Sequence, residues 1–377
     1  MKYRVMMTVA ASTVFVVGGA FAPVAADAHQ RSTTVVHRGE SIQAALDAAT
    51  PGATVFVTRG TYYENLTITK PVTLRGVGDV VLRPNVVIAD NLCTEDTDGS
   101  PDGLPNNTGI CILGELAAPT DGSDIPTVTA PVLDVTIDNL SISNFHGQGI
   151  LAFGTDHLVV KNVSTDHNGD TGLFFEAADH TRIIDSTVTD TGHFAVRVAD
   201  SHDVVASGNT IRGGQAGIVG IEVSGGRIAE NFVTDTCLGI GLLDDPEPGD
   251  TGNIAISENV VTGNSRFCPA EPDGPSISGL GVALFGTIGV RVSENRITHN
   301  VGQADPATGA RADLSGAAVL VMDATDFSGG GIATGNAVTH NVITRNAPLD
   351  VADVSTGVNV INHNRCATSS PASICSH

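Results

Sequence analysis

The sequence predicts an all-β solenoid whose coils are about 23 residues long. Three observations carry this expectation. First, Ile142, Thr165, Val188, Ile211, Val233, Val261, Ile297, Ile343 and Cys366 follow one another at steps of 23, 23, 23, 22, 28, 36, 46 and 23. Second, the residue five places before each is apolar: Ile137, Val160, Ile183, Ala206, Ile228, Ile256, Val292, Val338 and Ile361. Third, no repeat carries an apolar stripe of helical period, whereas short alternating runs separated by Gly, Asn and Asp recur throughout. A unit this small cannot bury its own apolar side, so successive units must stack. Stacked strands lie about 4.8 Å apart, which makes each repeat one rung and each aligned Ile/Val column an interior ladder. Propeller blades need about 40–45 residues and aromatic signatures. Here the early steps are too short and the chain has no Trp.

Taken in order, the chain opens with Lys2 and Arg4, a small-residue apolar stretch from Val5 to Ala22, and the cleavage-like Ala26-Asp27-Ala28. Residues 1–28 read as a secretion signal, with 29–377 as one exported domain. No later stretch is long and apolar enough to span a bilayer. Ser41 to Ala49 reads as a short amphipathic helix with Ile42, Ala45, Leu46 and Ala49 on one face, Ser41 as N-cap and Pro51-Gly52 as its stop. Its expected job is to cap the open end of the solenoid. In the last six repeats an Asn stands two places before the reference residue: Asn209, Asn231, Asn259, Asn295, Asn341 and Asn364. These are expected at bends, where Asn tolerates left-handed backbone and bonds to neighbouring main chain.

The long steps locate insertions at 264–279, 301–315 and 323–334, and a further excursion, rich in Asp, Gly and Pro, covers 90–131. The insertions at 264–279 and 301–315 leave their repeats at the same bend, so they are expected side by side, walling a groove. Six cysteines in an exported chain imply disulfides. Nearest-neighbour pairing gives Cys93–Cys111, Cys237–Cys268 and Cys366–Cys375, with other connectivities open.

The stretch from Gly39 through Gln43-Ala44-Ala45-Leu46, Pro51-Gly52, Gly60-Thr61-Tyr62 and Val72-Thr73-Leu74-Arg75-Gly76 resembles the N-terminal signature of right-handed parallel β-helix proteins of the pectin-lyase-like superfamily. With the repeats, the resemblance covers nearly the whole exported chain. It implies a right-handed parallel β-helix and a polysaccharide or oligosaccharide partner. The activities it implies are those of glycoside hydrolases, polysaccharide lyases and uronan epimerases, alongside proteins with no chemistry. Fold alone does not choose among them.

The formal charge of −22 disfavours nucleic acid and anionic membrane surfaces. Counting eleven residues past the reference gives Glu176, Ala199, Glu222 and Asp244, with inward residues expected at offsets eight and ten, among them Val219 and Ile221. Arg197 lies beside them. The patch Glu176, Arg197, Glu222 and Asp244 is therefore the candidate catalytic set, facing outward, with Asp245, His146 and His193 as candidate substrate contacts. Glu222 and Asp244 fall one rung apart and Glu176 two from Glu222, or about 5 and 10 Å, which brackets the separations used by retaining and inverting hydrolysis. Arg197 could instead anchor a sugar carboxylate. Histidines near the same bends, including His167 and His299, are polar turn residues or a general base. Asp156-His157 and Asp179-His180 recur at a step of 23 and read as turn stacking.

Asp96, Asp98 and Asp102, spaced by Gly99, resemble the start of a calcium loop but lack its later bidentate Glu. Calcium is the one cofactor the sequence suggests, and none is required by the chemistry. Lysine is nearly absent and the protein is acidic, which tilts the reading from lyase chemistry on polyuronates towards carboxylate-based hydrolysis. Two rivals stand beside it: a non-catalytic glycan-binding surface module, and an enzyme tailoring a small secreted metabolite in the loop-walled pocket.

Overall fold

A computed structural model describes residues 32–85, 93, 107–118, 126–245, 251–270, 274–325 and 328–375. The expected leader at 1–28 and the calcium-like Asp96, Asp98 and Asp102 lie outside the described residues. Among the described residues no helix is long and apolar enough to cross a membrane.

The chain winds as a parallel β-helix. Each rung pairs in parallel with the one above and the one below, and three columns of inward residues run through the interior. The reference column reads Leu82, Ile142, Thr165, Val188, Ile211, Val233, Val261, Ile297 and Ile343 in unbroken register. The column five residues earlier reads Leu74, Ile137, Val160, Ile183, Ala206, Ile228, Ile256, Val292, Val338 and Ile361. A third column, on the strand after the reference bend, reads Leu66, Ile110, Ile150, Leu173, Val196, Ile218, Ile240, Val282, Val319 and Val351. Nearly all of these side chains are fully buried, so the repeat is a record of the core.

The helix Ile42–Ala48 forms where expected. The Ser41 side chain accepts from the Ala44 backbone N–H at 3.1 Å, and Ile42 and Leu46 are buried against the first coil. The Glu64 carboxylate, 22 residues on, accepts from the Ile42 and Gln43 N–H groups at 2.8 and 2.9 Å, so an anion from the next rung satisfies the helix N-terminus.

The asparagines behave differently from expectation. Left-handed backbone belongs to the residue before each: Gly208, Glu230, Glu258, Glu294, His340 and His363. The Asn itself is buried and its amide links coils. In Asn231, Asn259, Asn295 and Asn341 the backbone N–H and Nδ2 both donate to the Oδ1 of the next Asn at 2.9–3.0 Å. Each Nδ2 also donates back to a carbonyl of the preceding rung. The bend needs its inner polar groups satisfied more than it needs a residue tolerant of positive φ, and the exposed neighbour takes the strained position.

Asn264, Asn300 and Asn346 form a second such row at the next bend. The three disulfides form in nearest-neighbour order, Cys93–Cys111, Cys237–Cys268 and Cys366–Cys375.

Candidate functional site

From Phe194 onward the third strand of successive coils presents an apolar outer face. Ala216, Val219, Leu238, Leu280, Ala283, Phe285, Ala317 and Leu320 pack there into a cluster separate from the interior. The insertions stand over this face. Ile277 bridges to Leu314, the Ser276 hydroxyl donates to Asp313 at 2.7 Å, and the Gln303 N–H donates to the Ser278 hydroxyl at 2.8 Å, so 264–279 and 301–315 lie side by side as expected. Cys237–Cys268 ties the first insertion to the floor, and both cysteines line the space it encloses. The result is a cavity of 670 Å³. Its floor and walls include Phe194, Val219, Ile221, Leu243, Ile277 and Leu314, and its polar members include His193, Arg197, Gln215 and Asp245.

Val219 and Ile221, expected inside, are part of this floor. The reason is one missing residue in a bend. Val188 to Val196 spans eight positions, but Ile211 to Ile218 spans seven, because Gly213-Gly214-Gln215 makes a shorter bend than Asp190 to His193. Counting from the reference therefore overshoots by one from this coil onward, so Ile218 and Gly220 point inward in place of their neighbours.

The same shift redraws the catalytic patch. Glu176 shares its strand position with Ala199, Ile221 and Leu243 on the outer face, but unlike Ile221 and Leu243 it is not among the residues that line the cavity. The residue in line with Glu222 and Asp244 is Asp200. Glu222 and Asp244 are one rung apart, as expected, but they do not face outward. Glu222 sits at a kink within the strand Ala216–Ala229 and Asp244 just past the strand Leu238–Leu243, only 9% and 7% exposed, with Asp200 and Glu222 in left-handed backbone.

Asp244 is occupied structurally. Its Oδ1 accepts from the Thr251 N–H at 3.1 Å and its Oδ2 from the Gly331 N–H at 2.7 Å, which anchors the insertion at 323–334. Glu222 is held more loosely. The Asp245 N–H donates to its Oε1, while Oε2 is buried without a hydrogen-bond partner. Burial, reinforced by Asp244, Asp200 and Asp245, pushes its carboxyl up to about 7 against the bond from Asp245. Desolvation disfavours the charged form, and three nearby carboxylates add to it.

Of the remaining candidates, Arg197 lies in the cavity with its guanidinium 4.7 Å above the Phe174 ring and 5.8 Å from that of Phe194. His193 also lines it, its ring 3.9 Å from Phe194 and its Nδ1 3.5 Å from Asp170. Asp245 lines the far end. His146 lies outside the lining. Sequence reasoning missed Gln215 and the apolar floor. The signal was the single step of 22.

Among the described residues, two side-chain groups bring three metal-type ligands together: Asp156, His157 and His180, and Asp166, His167 and Asp190. The first is the expected turn stack. The Nδ1 atoms of His157 and His180 both lie 2.8 Å from Asp156 Oδ1, and the rings stack 4.7 Å apart, 15° from parallel. Two nearly parallel stacked rings cannot both place an ion in plane at about 2.0–2.1 Å, so as arranged this group does not close around an ion. The Asp156 hydrogen bond is the main force raising the His180 pKa, with Asp203 and Asp179 adding to it.

Residues 127–305 match the family model described as a right-handed β-helix region. No curated protein matches the chain. Among solved structures, a pectate lyase is similar at 12% identity, covering 90% of this chain and 80% of its own, with a TM-score of 0.45. An alginate lyase from a Paenibacillus species is similar at 14%, covering 88% and 99%, with a TM-score of 0.46. The A-module of an Azotobacter vinelandii mannuronan C-5 epimerase is similar at 15%, covering 86% and 94%, with a TM-score of 0.46. The fold that the sequence resemblance implied is the one observed: a right-handed parallel β-helix.

Proposed function

We propose that this chain is a secreted carbohydrate-active β-helix protein whose ligand enters the loop-walled cavity, and that Glu222 is its proton-transferring group. The observation that carries the reading is a buried carboxyl poised near neutrality next in the chain to Ile221 and bonded to Asp245, both of which line that cavity. A general acid works best when its pKa lies near the operating pH, and about half of a group at pH 7 then carries its proton. Glu222 accepts from the main chain of Asp245, a residue of the cavity lining, and feels its charge, so a buried carboxyl stands behind one at the cavity. That division of environments is the one glycoside hydrolysis uses: an acid protonates the leaving oxygen, and the second carboxylate assists from across the bond. Three disulfides fit an oxidising compartment outside the cytoplasm.

The apolar floor favours a second reading, in which the substrate is a small secreted metabolite and not a long glycan. A glycan panel, scored for new reducing ends and for ultraviolet-absorbing unsaturated products with and without chelator, separates the classes. Reducing ends from wild type, lost by a hundredfold or so in Glu222→Gln with ligand affinity retained, support the hydrolytic role. No product from any glycan, or unchanged turnover in Glu222→Gln, overturns it.

A further inference from the structure

The cavity floor is ordered along the strands that form it. His193 and Gln215 stand where the strands enter and Asp245 where they leave, while Val219, Leu238 and Leu243 occupy the ground between. In register with Arg197 and Val219 on the next rung is Gly241, which adds no side chain of its own to the middle of the floor. A Cβ there would meet Leu238 Cδ2 at 2.7 Å, so the Leu238 side chain lies across this position and keeps the floor apolar. A sugar ring carries hydroxyls on all its edges, and each one buried without a partner is costly. A floor of this kind suits an apolar body.

Arg197 supplies the other half. The chain has 41 acidic residues against 19 basic ones, so an arginine would ordinarily find a carboxylate. Arg197 pairs with none of the described carboxylates. Its Nε is shielded from solvent without a hydrogen-bond partner, and its guanidinium rests between two phenylalanine rings. The rings stabilise the cation and desolvate it, but they satisfy none of its N–H donors. A partly desolvated guanidinium with open donors beside an apolar cavity is a receptor for an anion, which it binds in a fork of two charge-assisted hydrogen bonds.

We infer that the cavity of 670 Å³ binds an amphipathic acid: one rigid, apolar, ring-bearing body over Val219 and Gly241, with a single anionic head on Arg197. The volume falls within the range of about 300–1,000 Å³ usual for small-molecule sites. The inference follows the second reading above, a small substrate in place of a long glycan, and rests on this cavity being the ligand site but not on turnover.

The test uses two probes, anilinonaphthalene sulfonate and its uncharged parent phenylnaphthylamine, titrated into the disulfide-bonded full chain. Phe285→Trp places a lone tryptophan in the cavity wall of a chain that has none, so energy transfer to bound probe locates the binding. The expected result is saturable one-site binding of both probes in the cavity. Arg197→Met, which keeps an apolar stem over Phe174, then weakens the sulfonate at least tenfold and leaves the uncharged probe within twofold. Arg197→Lys falls between. Equal losses of both probes in Arg197→Met would make Arg197 a packing residue and overturn the inference, as would binding without saturation or energy transfer. Failure of the glycan assay with these outcomes intact would remove the hydrolytic reading alone.

Discussion

Replacing Glu222 by Gln should stabilise the protein in mild alkali and leave it nearly unchanged in acid. The Glu222 carboxyl is raised from 4.5 to about 7 in the fold, and its side chain is only 9% exposed. A folded-state value above the unfolded one means that folding favours the protonated form. The stability this gives is complete below pH 4.5 and is lost as pH rises through about 7. At about 1.4 kcal/mol per unit, the ionised carboxylate costs the fold about 3 kcal/mol above neutrality. Gln keeps the acceptor that receives the Asp245 N–H and cannot ionise. Urea or thermal unfolding of wild type and Glu222→Gln at about pH 4 and about pH 8.5 measures the difference, and for a domain this long it amounts to about 4 °C in melting temperature. The variant should match wild type in acid and exceed it in alkali. A gap equal at both pH values, or a variant weaker in alkali, would show that burial does not hold the proton on Glu222.

Three further outcomes are expected. Asn295→Ala leaves the N–H groups of Asn259 without their acceptor and the Ile256 carbonyl without its donor, and should cost about 3 kcal/mol in chemical denaturation. Asp244→Asn weakens the charged anchor for Thr251 and Gly331, so limited proteolysis should cut the 323–334 insertion faster while the coils stay resistant. His180 has its pKa raised chiefly by the hydrogen bond to Asp156. The stability it adds is therefore present below the ordinary histidine value of 6.5 and fades as pH climbs through the raised one, so His180→Gln should lower the melting temperature in acid and not above about pH 9.

The interior was legible because stacking makes sequence distance and vertical distance the same thing. The columns through Ile142 and Ile137 could be counted directly, since from that coil onward the two always stand five residues apart; only in the first coil, from Leu74 to Leu82, is the spacing longer. The outer face could not be counted that way. Glu176 and Glu222 share an offset from the reference but not a position on the strand, because Gly213-Gly214-Gln215 is a residue shorter than its predecessor. Val219 and Ile221 read as core for the same reason and form a floor instead. The second asparagine row was within reach, since Asn264, Asn300 and Asn346 all fall three places after a reference residue. The part played by Asp244 was not, because its partners Thr251 and Gly331 come from segments whose course no periodicity describes.

The buried amides from Asn209 to Asn364 all point one way. From Asn209 to Asn341, the backbone N–H and one amide proton go to the Asn of the coil that follows, whose Oδ1 accepts both, while Nδ2 also reaches back to a carbonyl of the coil before. During synthesis, a freshly laid turn therefore waits for its successor to complete it. Cut the chain after any of these turns and the same two donors are left dangling, whatever the length retained. Shortening this protein should carry a fixed toll at the open end, which makes the terminal turn the place to design a stopper.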